Sequence, residues 1–235
     1  MSLTGLTAVV TGASRGIGAA VAGALAAEGV RVVMIARGRE ALAKVASRLG
    51  GAHVIVADLA DRAQAQRAAA EAVEGLGASP DILVNNAGIF AITTLESMEP
   101  DDFSAMVESN LVAPFVLLRR LLPGMRARGR GHIVTIGSIA DRTIFAGNGA
   151  YAATKFGARA MHQVLREETR GSGVRATLVS PAQTDTDIWD AIQFPDGSAA
   201  DRRAMLSPRS VAEAVLFAVS RPPEVNVDEL RLSRS

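Results

Sequence analysis

Short runs of Val, Ile and Leu alternate along this chain with longer, alanine-rich stretches whose apolar residues recur at helical spacing. This alternation is typical of repeated βαβ units built around a parallel sheet. The pattern predicts six strands and a weaker seventh, in chain order Leu6–Thr11, Arg31–Ala36, His53–Ala57, Asp81–Asn85, His132–Ile136, Arg175–Ser180 and Glu229–Leu232. Between them it predicts six helices, Gly16–Glu28, Arg39–Leu49, Asp61–Gly77, Pro100–Arg128, Ala150–Thr169 and Pro208–Ser220.

No linker, internal repeat or low-complexity tract interrupts this pattern. We therefore predict one α/β domain over residues 1–235, with a Rossmann-type, doubly wound parallel sheet of about seven strands and helices on both faces. A stretch rich in Pro, Gly and Asp, at about residues 185–207, is predicted to cover the substrate side of the domain. Its apolar side chains are expected to line a pocket or to close as a lid, and they are Ile188, Trp189, Ile192, Phe194 and Met205.

Composition excludes several classes of function. The 25 basic and 24 acidic residues give a net charge of +1, so we predict neither a nucleic-acid partner nor a membrane partner. The absence of cysteine excludes disulfides and thiolate catalysis. Because His53 and His132 stand at the starts of predicted strands and His162 lies inside the predicted helix Ala150–Thr169, we predict structural or solvated histidines and no metal. Nothing like a signal segment precedes the first strand, which predicts a cytoplasmic location.

A glycine-rich loop, Thr11–Gly18, follows the first predicted strand and opens the first predicted helix. Glycines at such a position allow a tight turn and close approach of the backbone to a pyrophosphate, and the helix N-terminus offers free N–H groups to the phosphates. The spacing predicts a dinucleotide site, with a purely structural turn as the alternative. The predicted cofactor contacts in this loop are Gly12, Ser14, Arg15, Gly16, Ile17 and Gly18.

The end of the second strand predicts which dinucleotide binds. An NAD site usually has a carboxylate there to bind the adenosine ribose, but this chain has Arg37. Together with Arg15, it predicts a pair of guanidinium groups for the 2′-phosphate of NADP(H), with NAD(H) less favoured. Two solvated surface arginines are the alternative interpretation.

Polar and small residues follow the third and fourth predicted strands, where ligands bind in open α/β sheets. Asp58 is expected to accept a hydrogen bond from the adenine amino group. The segment Asn85-Asn86-Ala87-Gly88 is expected to close against the adenosine ribose, although a structural turn competes with that interpretation. The predicted contacts in these two places are Asp58, Leu59, Asn85, Ala87 and Gly88.

The candidate catalytic residues come later. Tyr151 is the one tyrosine of the chain, and Lys155 lies four residues on, so a helix places both on one face. Tyrosine has an ordinary pKa of about 10, and a nearby ammonium is expected to lower it far enough for acid–base work. Ser138, after the fifth strand, is expected to hydrogen-bond the same substrate oxygen. Each of these residues alone has an ordinary structural alternative.

Together, these motifs resemble the short-chain dehydrogenase/reductase (SDR) family, in the branch usually called classical, over nearly the whole chain. The resemblance implies a catalytic tetrad of Asn110, Ser138, Tyr151 and Lys155, in which Asn110 holds a water that links Lys155 to solvent. It also implies that Tyr151 and Lys155 contact the cofactor. Further along, it implies that Pro181 and Thr184 contact the nicotinamide end. Ala182 stands where the family usually has glycine, which puts the local backbone path in question.

The implied function is an NADP(H)-dependent oxidoreductase that interconverts a carbonyl and an alcohol on a small substrate. The stretches 206–215 and 222–227 resemble the ending of NADP-dependent 3-hydroxy acid dehydrogenases. One alternative is a 3-oxoacyl carrier-protein reductase, with Arg126, Arg128 and Arg130 receiving an acidic carrier. A second alternative, from another class, is a non-catalytic NADP-binding sensor or scaffold. Because the helix Pro100–Arg128 is apolar on more than one face, we also expect a homodimer or homotetramer.

Overall fold

The computed structural model describes residues 1–190, 192 and 199–235. In that part of the chain, the strands form one parallel sheet in the order β3-β2-β1-β4-β5-β6-β7. The strands are β1 (Thr7–Thr11), β2 (Arg31–Ala36), β3 (His53–Val56), β4 (Ile82–Asn85), β5 (Gly131–Ile136), β6 (Val174–Pro181) and β7 (Glu229–Leu232). The predicted fold class and all seven predicted strands, including the weak last one, are confirmed.

The helices are α1 (Gly16–Ala27), α2 (Arg39–Arg48), α3 (Arg62–Leu76), α4 (Pro100–Val107), α5 (Ala113–Ala127), α6 (Gly149–Thr169) and α7 (Pro208–Val219). Short 3₁₀ turns lie at Ile139–Asp141, Asp187–Trp189 and Arg202–Ala204. None of the helices in the described residues is long and apolar enough to cross a bilayer.

The predicted helix over Pro100–Arg128 is present but is not α-helical throughout. A π-helical turn, Glu108–Val112, separates α4 from α5. At its centre Asn110 is 3% exposed and bonds across to a neighbouring loop, while Pro114 has no N–H to donate to the preceding turn. The helical spacing of apolar residues continues through both helices, so the hydrophobic pattern did not reveal the insertion.

Both faces of the sheet are buried, which explains why the strands appear in the sequence as continuous apolar runs. Val9, Leu83 and Ile133 face the side covered by α3, α5 and α6, whereas Val10 and Val84 face α1, α2 and α7. Alanines in α3 are almost fully buried, and their small size lets that helix lie close to the sheet: Ala65, Ala68, Ala69 and Ala72. No Phe, Tyr or Trp is buried among the described residues, so aliphatic and alanine packing forms the core.

The order of the strands reverses at β1: β2 and β3 are added on one side of it, and β4 lies on its other side. Ligands of open α/β sheets bind in the crevice that such a reversal leaves at the carboxyl ends of the strands. A cavity of about 1150 Å³ lies at this edge, lined by residues that follow β1 to β6.

Candidate active site

Most of the predicted site residues line this one cavity. They are Gly12, Ser14, Arg15, Gly16, Ile17, Arg37, Asp58, Leu59, Ala87, Gly88, Ser138, Tyr151, Lys155, Pro181 and Thr184. Three predicted residues, Gly18, Asn85 and Asn110, are not part of its wall. Residues separated by up to 172 positions in the sequence therefore meet at one edge of the sheet.

The glycine loop fits a ligand for steric reasons. Gly12 and Gly16 have φ of +65° and +54°, which residues with a side chain rarely adopt. A Cβ on Gly12 would lie 2.9 Å from the Ala87 Cα, and one on Gly18 would lie 2.3 Å from the Gly12 carbonyl oxygen. Gly18 therefore packs α1 against the loop instead of reaching the cavity. No side chain caps the first turn of α1, so its N–H groups remain available to an anion.

Asn86 holds the glycine loop, and the sequence analysis missed it. Its Nδ2 donates to the Thr11 carbonyl at 2.8 Å, and its backbone N–H donates to Thr11 Oγ1 at 2.9 Å. Asn85, which was predicted instead, is 4% exposed and does not reach the cavity, because successive residues of a strand point to opposite faces. The two consecutive asparagines indicated that this turn contacts the site, but they did not show which of the two side chains holds the glycine loop.

The end of the cavity that is predicted to hold the adenosine, called the adenosine end below, is open and charged. Arg37 and Asp58 form an ion pair with 3.8 Å between Nη1 and Oδ2, and their side chains are 62% and 42% exposed. Arg15 is also exposed on the same wall. Asp58 Oδ1 accepts the Ala60 N–H at 3.0 Å, which fixes the carboxylate in the turn after β3.

The catalytic end is more enclosed. Lys155 is 7% exposed, its Nζ donates to the Ile136 carbonyl at 3.0 Å, and it lies 5.5 Å from the centre of the Tyr151 ring. Both side chains project from α6, as the spacing predicted. Ser138 begins the 3₁₀ turn after β5, where its Oγ accepts the Ala140 N–H at 3.1 Å. The arrangement holds a phenol, an ammonium and a hydroxyl at one wall of the cavity.

Asn110 lies behind this wall. Its Oδ1 accepts the Ile89 N–H at 2.8 Å, and its Nδ2 donates to the Ile89 carbonyl at 2.9 Å and to Thr154 Oγ1 at 3.1 Å. A Cβ on Gly88 would lie 3.1 Å from the same Oδ1. The amide thus joins the π-helical turn to the loop after β4 and to α6, the helix that carries Tyr151.

A buried charge network supports the Ser138 turn. The Asp141 side chain is fully buried, accepts Arg142 Nε at 2.7 Å and Ser180 Oγ at 2.5 Å, and lies 3.5 Å from Arg159. Both arginines also pair with Glu229 of β7. These ion pairs raise the pKa of Arg142 against the opposing effect of its burial. Spacing along the chain does not predict this network, because its members come from four separate segments.

Three of the few aromatic residues meet at the catalytic end. Phe90 packs edge to face on Tyr151, with ring centres 4.7 Å apart, and on Trp189, with ring centres 5.4 Å apart. Trp189 Nε1 also donates to the Thr184 carbonyl at 2.9 Å. Phe90 was not among the predicted site residues, although it stands two positions after the Asn-Asn-Ala-Gly segment.

Backbone hydrogen bonds join the two ends of the predicted covering segment. The Asp185 N–H donates to Leu206, and the Leu206 N–H donates to Gln183, both at 2.8 Å. Arg202 pairs with Asp185 at 2.8 Å and also with Asp190. Of its predicted apolar residues, Ile188 and Trp189 line the cavity, Met205 is buried, Ile192 is partly exposed, and Phe194 lies outside the described residues.

Ala182 does not disturb the backbone here. No residue other than glycine has a positive φ among the described residues, so the position does not require glycine. The Ala182 N–H donates to Leu232 of β7 at 2.8 Å, and its carbonyl accepts Thr184 Oγ1 at 3.0 Å. Thr184 therefore stays on the cavity wall despite the departure from the family pattern.

Two of the three histidines, His132 on β5 and His162 on α6, are buried in the core. Burial lowers the pKa of His132 to about 3, helped by the charge of Arg175, and lowers the pKa of His162 to about 4. The two rings lie 2.8 Å from Thr177 Oγ1 and 2.9 Å from Thr135 Oγ1 respectively. Within the described residues, no group of three or more potential metal ligands occurs.

Comparison with known proteins identifies the family. The chain matches the family described as short chain dehydrogenase over residues 6–195. It is 39% identical over 236 residues to the glycine betaine reductase ATRR of Emericella nidulans, in a match that covers 97% of this chain and 18% of that relative. It is 30% identical over 230 residues to an uncharacterized oxidoreductase of Staphylococcus haemolyticus, in a match that covers 97% of this chain and 96% of that protein.

A solved structure agrees with these sequence matches. A metagenomic short-chain oxidoreductase in complex with NADP has a TM-score of 0.84 and 34% identity to this chain, with 100% of both chains covered. The resemblance stated from the motifs is thereby confirmed. The chain belongs to the short chain dehydrogenase family and is an oxidoreductase of that family.

Proposed function

We propose that this protein is an NADP(H)-dependent oxidoreductase that interconverts a carbonyl group and an alcohol on a small substrate. The observation that carries the proposal is the Tyr151–Lys155 pair in the cavity wall, with the ammonium 5.5 Å from the ring centre. A protein that only binds a dinucleotide has no need for a phenol beside a buried ammonium. This pair therefore favours catalysis over the alternative of a non-catalytic sensor or scaffold.

The cavity fits a nicotinamide dinucleotide. The cradle formed by Gly12 and Gly16 has no room for side chains, and the uncapped start of α1 suits a pyrophosphate. Arg15 and Arg37 supply two guanidinium groups for a 2′-phosphate, which favours NADP(H) over NAD(H). The NADP bound to the metagenomic structure supports the same assignment. When bound, this cofactor would supply or accept the hydride.

The protein's own residues handle the proton. Ser138 and Tyr151 hold the carbonyl oxygen by hydrogen bonds, and the Tyr151 hydroxyl donates its proton as negative charge develops on that oxygen. The Lys155 ammonium stabilises the phenolate that remains, because an opposite charge close to the ring favours its charged form. In the oxidation direction, the phenolate takes the proton from the alcohol. Asn110 does not touch this oxygen and acts as a positioning residue that fixes α6 and the loop after β4.

The walls around Tyr151 favour a small, largely uncharged substrate. They are mostly apolar at this end of the cavity, with contributions from Phe90, Ile92, Phe145, Ile188 and Trp189. Asp58 is the one acidic residue that the described cavity wall contains, and it belongs to the adenosine end. Small ketones and aldehydes are therefore the substrates to test first, and 3-oxo acids test the resemblance to 3-hydroxy acid dehydrogenases.

The carrier-protein alternative has less support. Arg128 and Arg130 both pair with Asp81, at 3.9 and 3.3 Å, and Arg126 bonds the Glu168 carbonyl. These arginines lie at the start of β5, whereas the cavity opens at its end. Six residues of strand separate the two places by about 20 Å. A carrier protein bound to these arginines would lie at the edge of the sheet opposite the cavity.

We also propose that a second copy of the chain covers the outer face of α4, α5 and α6. Large apolar side chains on this face are 39–54% exposed, and they are Phe103, Phe115, Phe156 and Val164. Exposure of several such residues together is unusual on a monomer. Sedimentation as a dimer or tetramer at micromolar concentration is the expected result, and a monomer would contradict this part of the proposal.

The experiment is to follow consumption of NADPH, and separately of NADH, with a panel of carbonyl compounds. The panel contains small ketones and aldehydes, 3-oxo acids and a 3-oxoacyl thioester. It also contains trimethylammonioacetaldehyde, because the relative at 39% identity is named for glycine betaine, which carries the same trimethylammonium group. Turnover that prefers NADPH is expected. Saturable cofactor binding without turnover of any compound would favour the non-catalytic alternative.

A further inference from the structure

One polar side chain in the catalytic half of the cavity has no assigned role. Asn148 is 6% exposed, contributes to the cavity wall and precedes the first turn of α6, three residues before Tyr151. Within the residues that the structure describes, its Oδ1 is buried and has no hydrogen-bond partner. Burying an acceptor without a partner costs free energy, so the arrangement calls for a ligand that supplies one.

The Asn148 side chain also does not cap the helix that follows it. An Asn that precedes a helix normally accepts an N–H of the first turn through its side chain, but Asn148 makes no such cap. Its backbone carbonyl accepts the Ala152 N–H at 2.8 Å, so the helix start is otherwise regular. The Oδ1 acceptor is therefore not used by the helix start, and the residue that carries it lines the cavity.

The backbone around Asn148 is clamped, which fixes where its side chain lies. The Thr93 N–H donates to the Gly147 carbonyl at 2.7 Å, and Thr93 pairs with Asn148 as an isolated bridge. A Cβ on Gly147 would lie 2.9 Å from Ile92, and one on Gly149 would lie 2.4 Å from Leu95. Tight packing on both sides makes the amide a preorganised group.

We propose that Asn148 is a specificity-determining residue that binds a hydroxyl group of the substrate, one or two carbons from the carbonyl that reacts at Tyr151. Asn148 directly precedes the helix that carries Tyr151, and both residues line the same half of the cavity, so a hydroxyl close to the reacting carbonyl would lie on the side of the amide. A hydroxyl donates to Oδ1 and also accepts from Nδ2, so it suits either end of the amide. An ammonium would need a balancing carboxylate, and the described wall of the catalytic half has none.

The substrate class is therefore hydroxylated aldehydes and ketones, whose reduction gives vicinal or 1,3-diols. This inference rests on the proposed carbonyl reduction. Two matched pairs of compounds test it, because each pair exchanges a hydroxyl for a methyl at nearly the same size. The pairs are hydroxyacetone against butan-2-one, and glycolaldehyde against propanal.

For the wild type, we expect kcat/KM with NADPH to be at least tenfold higher for the hydroxylated member of each pair. Asn148→Leu removes both hydrogen-bonding ends at similar volume, and it should bring each ratio close to one. Asn148→Asp keeps an acceptor and should keep a clear preference for the hydroxylated member. Gln163→Leu, an amide-to-leucine change on an exposed part of the same helix, should leave the ratios as they are.

A wild-type ratio near one for both pairs overturns the inference, and so does a full wild-type ratio in Asn148→Leu. If Asn148→Leu does not fold by circular dichroism, the wild-type and Asn148→Asp ratios decide. Equal reduction of both members refutes the role of Asn148 and leaves the proposed function intact. Binding of NADPH without reduction of any of the four compounds counts against both.

Discussion

The two ends of the cavity are built differently. At the catalytic end, Lys155 and Asn110 are buried and bonded to backbone groups, Lys155 to Ile136 and Asn110 to Ile89. At the adenosine end, Arg37 is 62% exposed and has one ion pair, to Asp58 at 3.8 Å. An exposed ion pair of this kind contributes little to stability.

The difference agrees with the roles that we propose for the two ends. Chemistry needs groups that are already in place when charge develops, so the catalytic end uses buried hydrogen bonds. Cofactor choice needs only an attractive charge within reach of a phosphate, which exposed arginines supply. Changes at the catalytic end should therefore lower the rate and the stability, whereas changes at the adenosine end should alter which cofactor binds.

The largest effect is expected for Lys155→Met. It removes the ammonium beside Tyr151 and leaves the buried Ile136 carbonyl without its donor. We expect kcat/KM for carbonyl reduction to fall about a thousandfold. Lys44→Met provides a matched control, because Lys44 is exposed on α2. A loss below tenfold in Lys155→Met would place the chemistry elsewhere.

Acid should weaken the packing of β5 and α6 first. The pKa values of His132 and His162, about 3 and about 4, lie below the ordinary 6.5, so the unfolded chain takes up protons before the folded one does. Stability is therefore full above pH 6.5 and falls as the pH drops, by about 2 kcal/mol for each histidine at pH 5.

Hydrogen exchange at pH 7 and pH 5 measures where this loss occurs. Because His132 lies on β5 and His162 on α6, protection factors corrected for the slower intrinsic exchange at pH 5 should fall more in those elements than in β2 and β3. His53, on β3, is exposed and serves as the internal control. An equal fall in protection over all strands would contradict a localised effect.

Asn110→Leu tests the buried hydrogen bonds behind the wall. It removes one acceptor and two donor contacts, and it leaves both backbone groups of Ile89 without these partners. We expect the free energy of unfolding to fall by about 2 kcal/mol, with a lower kcat. Urea denaturation measures the first quantity. An unchanged midpoint would mean that Asn110 does not hold the two segments together.

The smallest effect is expected for Arg37→Ala, at the open end. Removing one guanidinium should weaken NADPH binding about tenfold, with little change in NADH binding. Arg170→Ala, at an exposed site on the far end of α6, is the control. Parallel loss of both cofactors, measured by fluorescence titration, would show that Arg37 does not select the phosphate.

The fold was predictable because both faces of the sheet are buried, which makes each strand a continuous apolar run. The sequence did not predict the π-helical turn at Glu108–Val112, since apolar spacing continues across it. The Asp141 network was also not predicted, because most of its ion pairs join residues that are far apart in the chain. They are Asp141, Arg142, Arg159 and Glu229. The roles of Asn86 and Phe90 depend on directions of side chains that spacing alone does not give.

The most direct test of the central claim is Tyr151→Phe. This change removes only the hydroxyl and keeps the ring that packs on Phe90 at 4.7 Å. The measurement is kcat for NADPH-dependent reduction of a carbonyl substrate, with the NADPH Kd determined on the same preparation. We predict a fall in kcat of about a thousandfold and a Kd within about threefold of the wild type. Wild-type turnover in Tyr151→Phe would contradict the proposed mechanism.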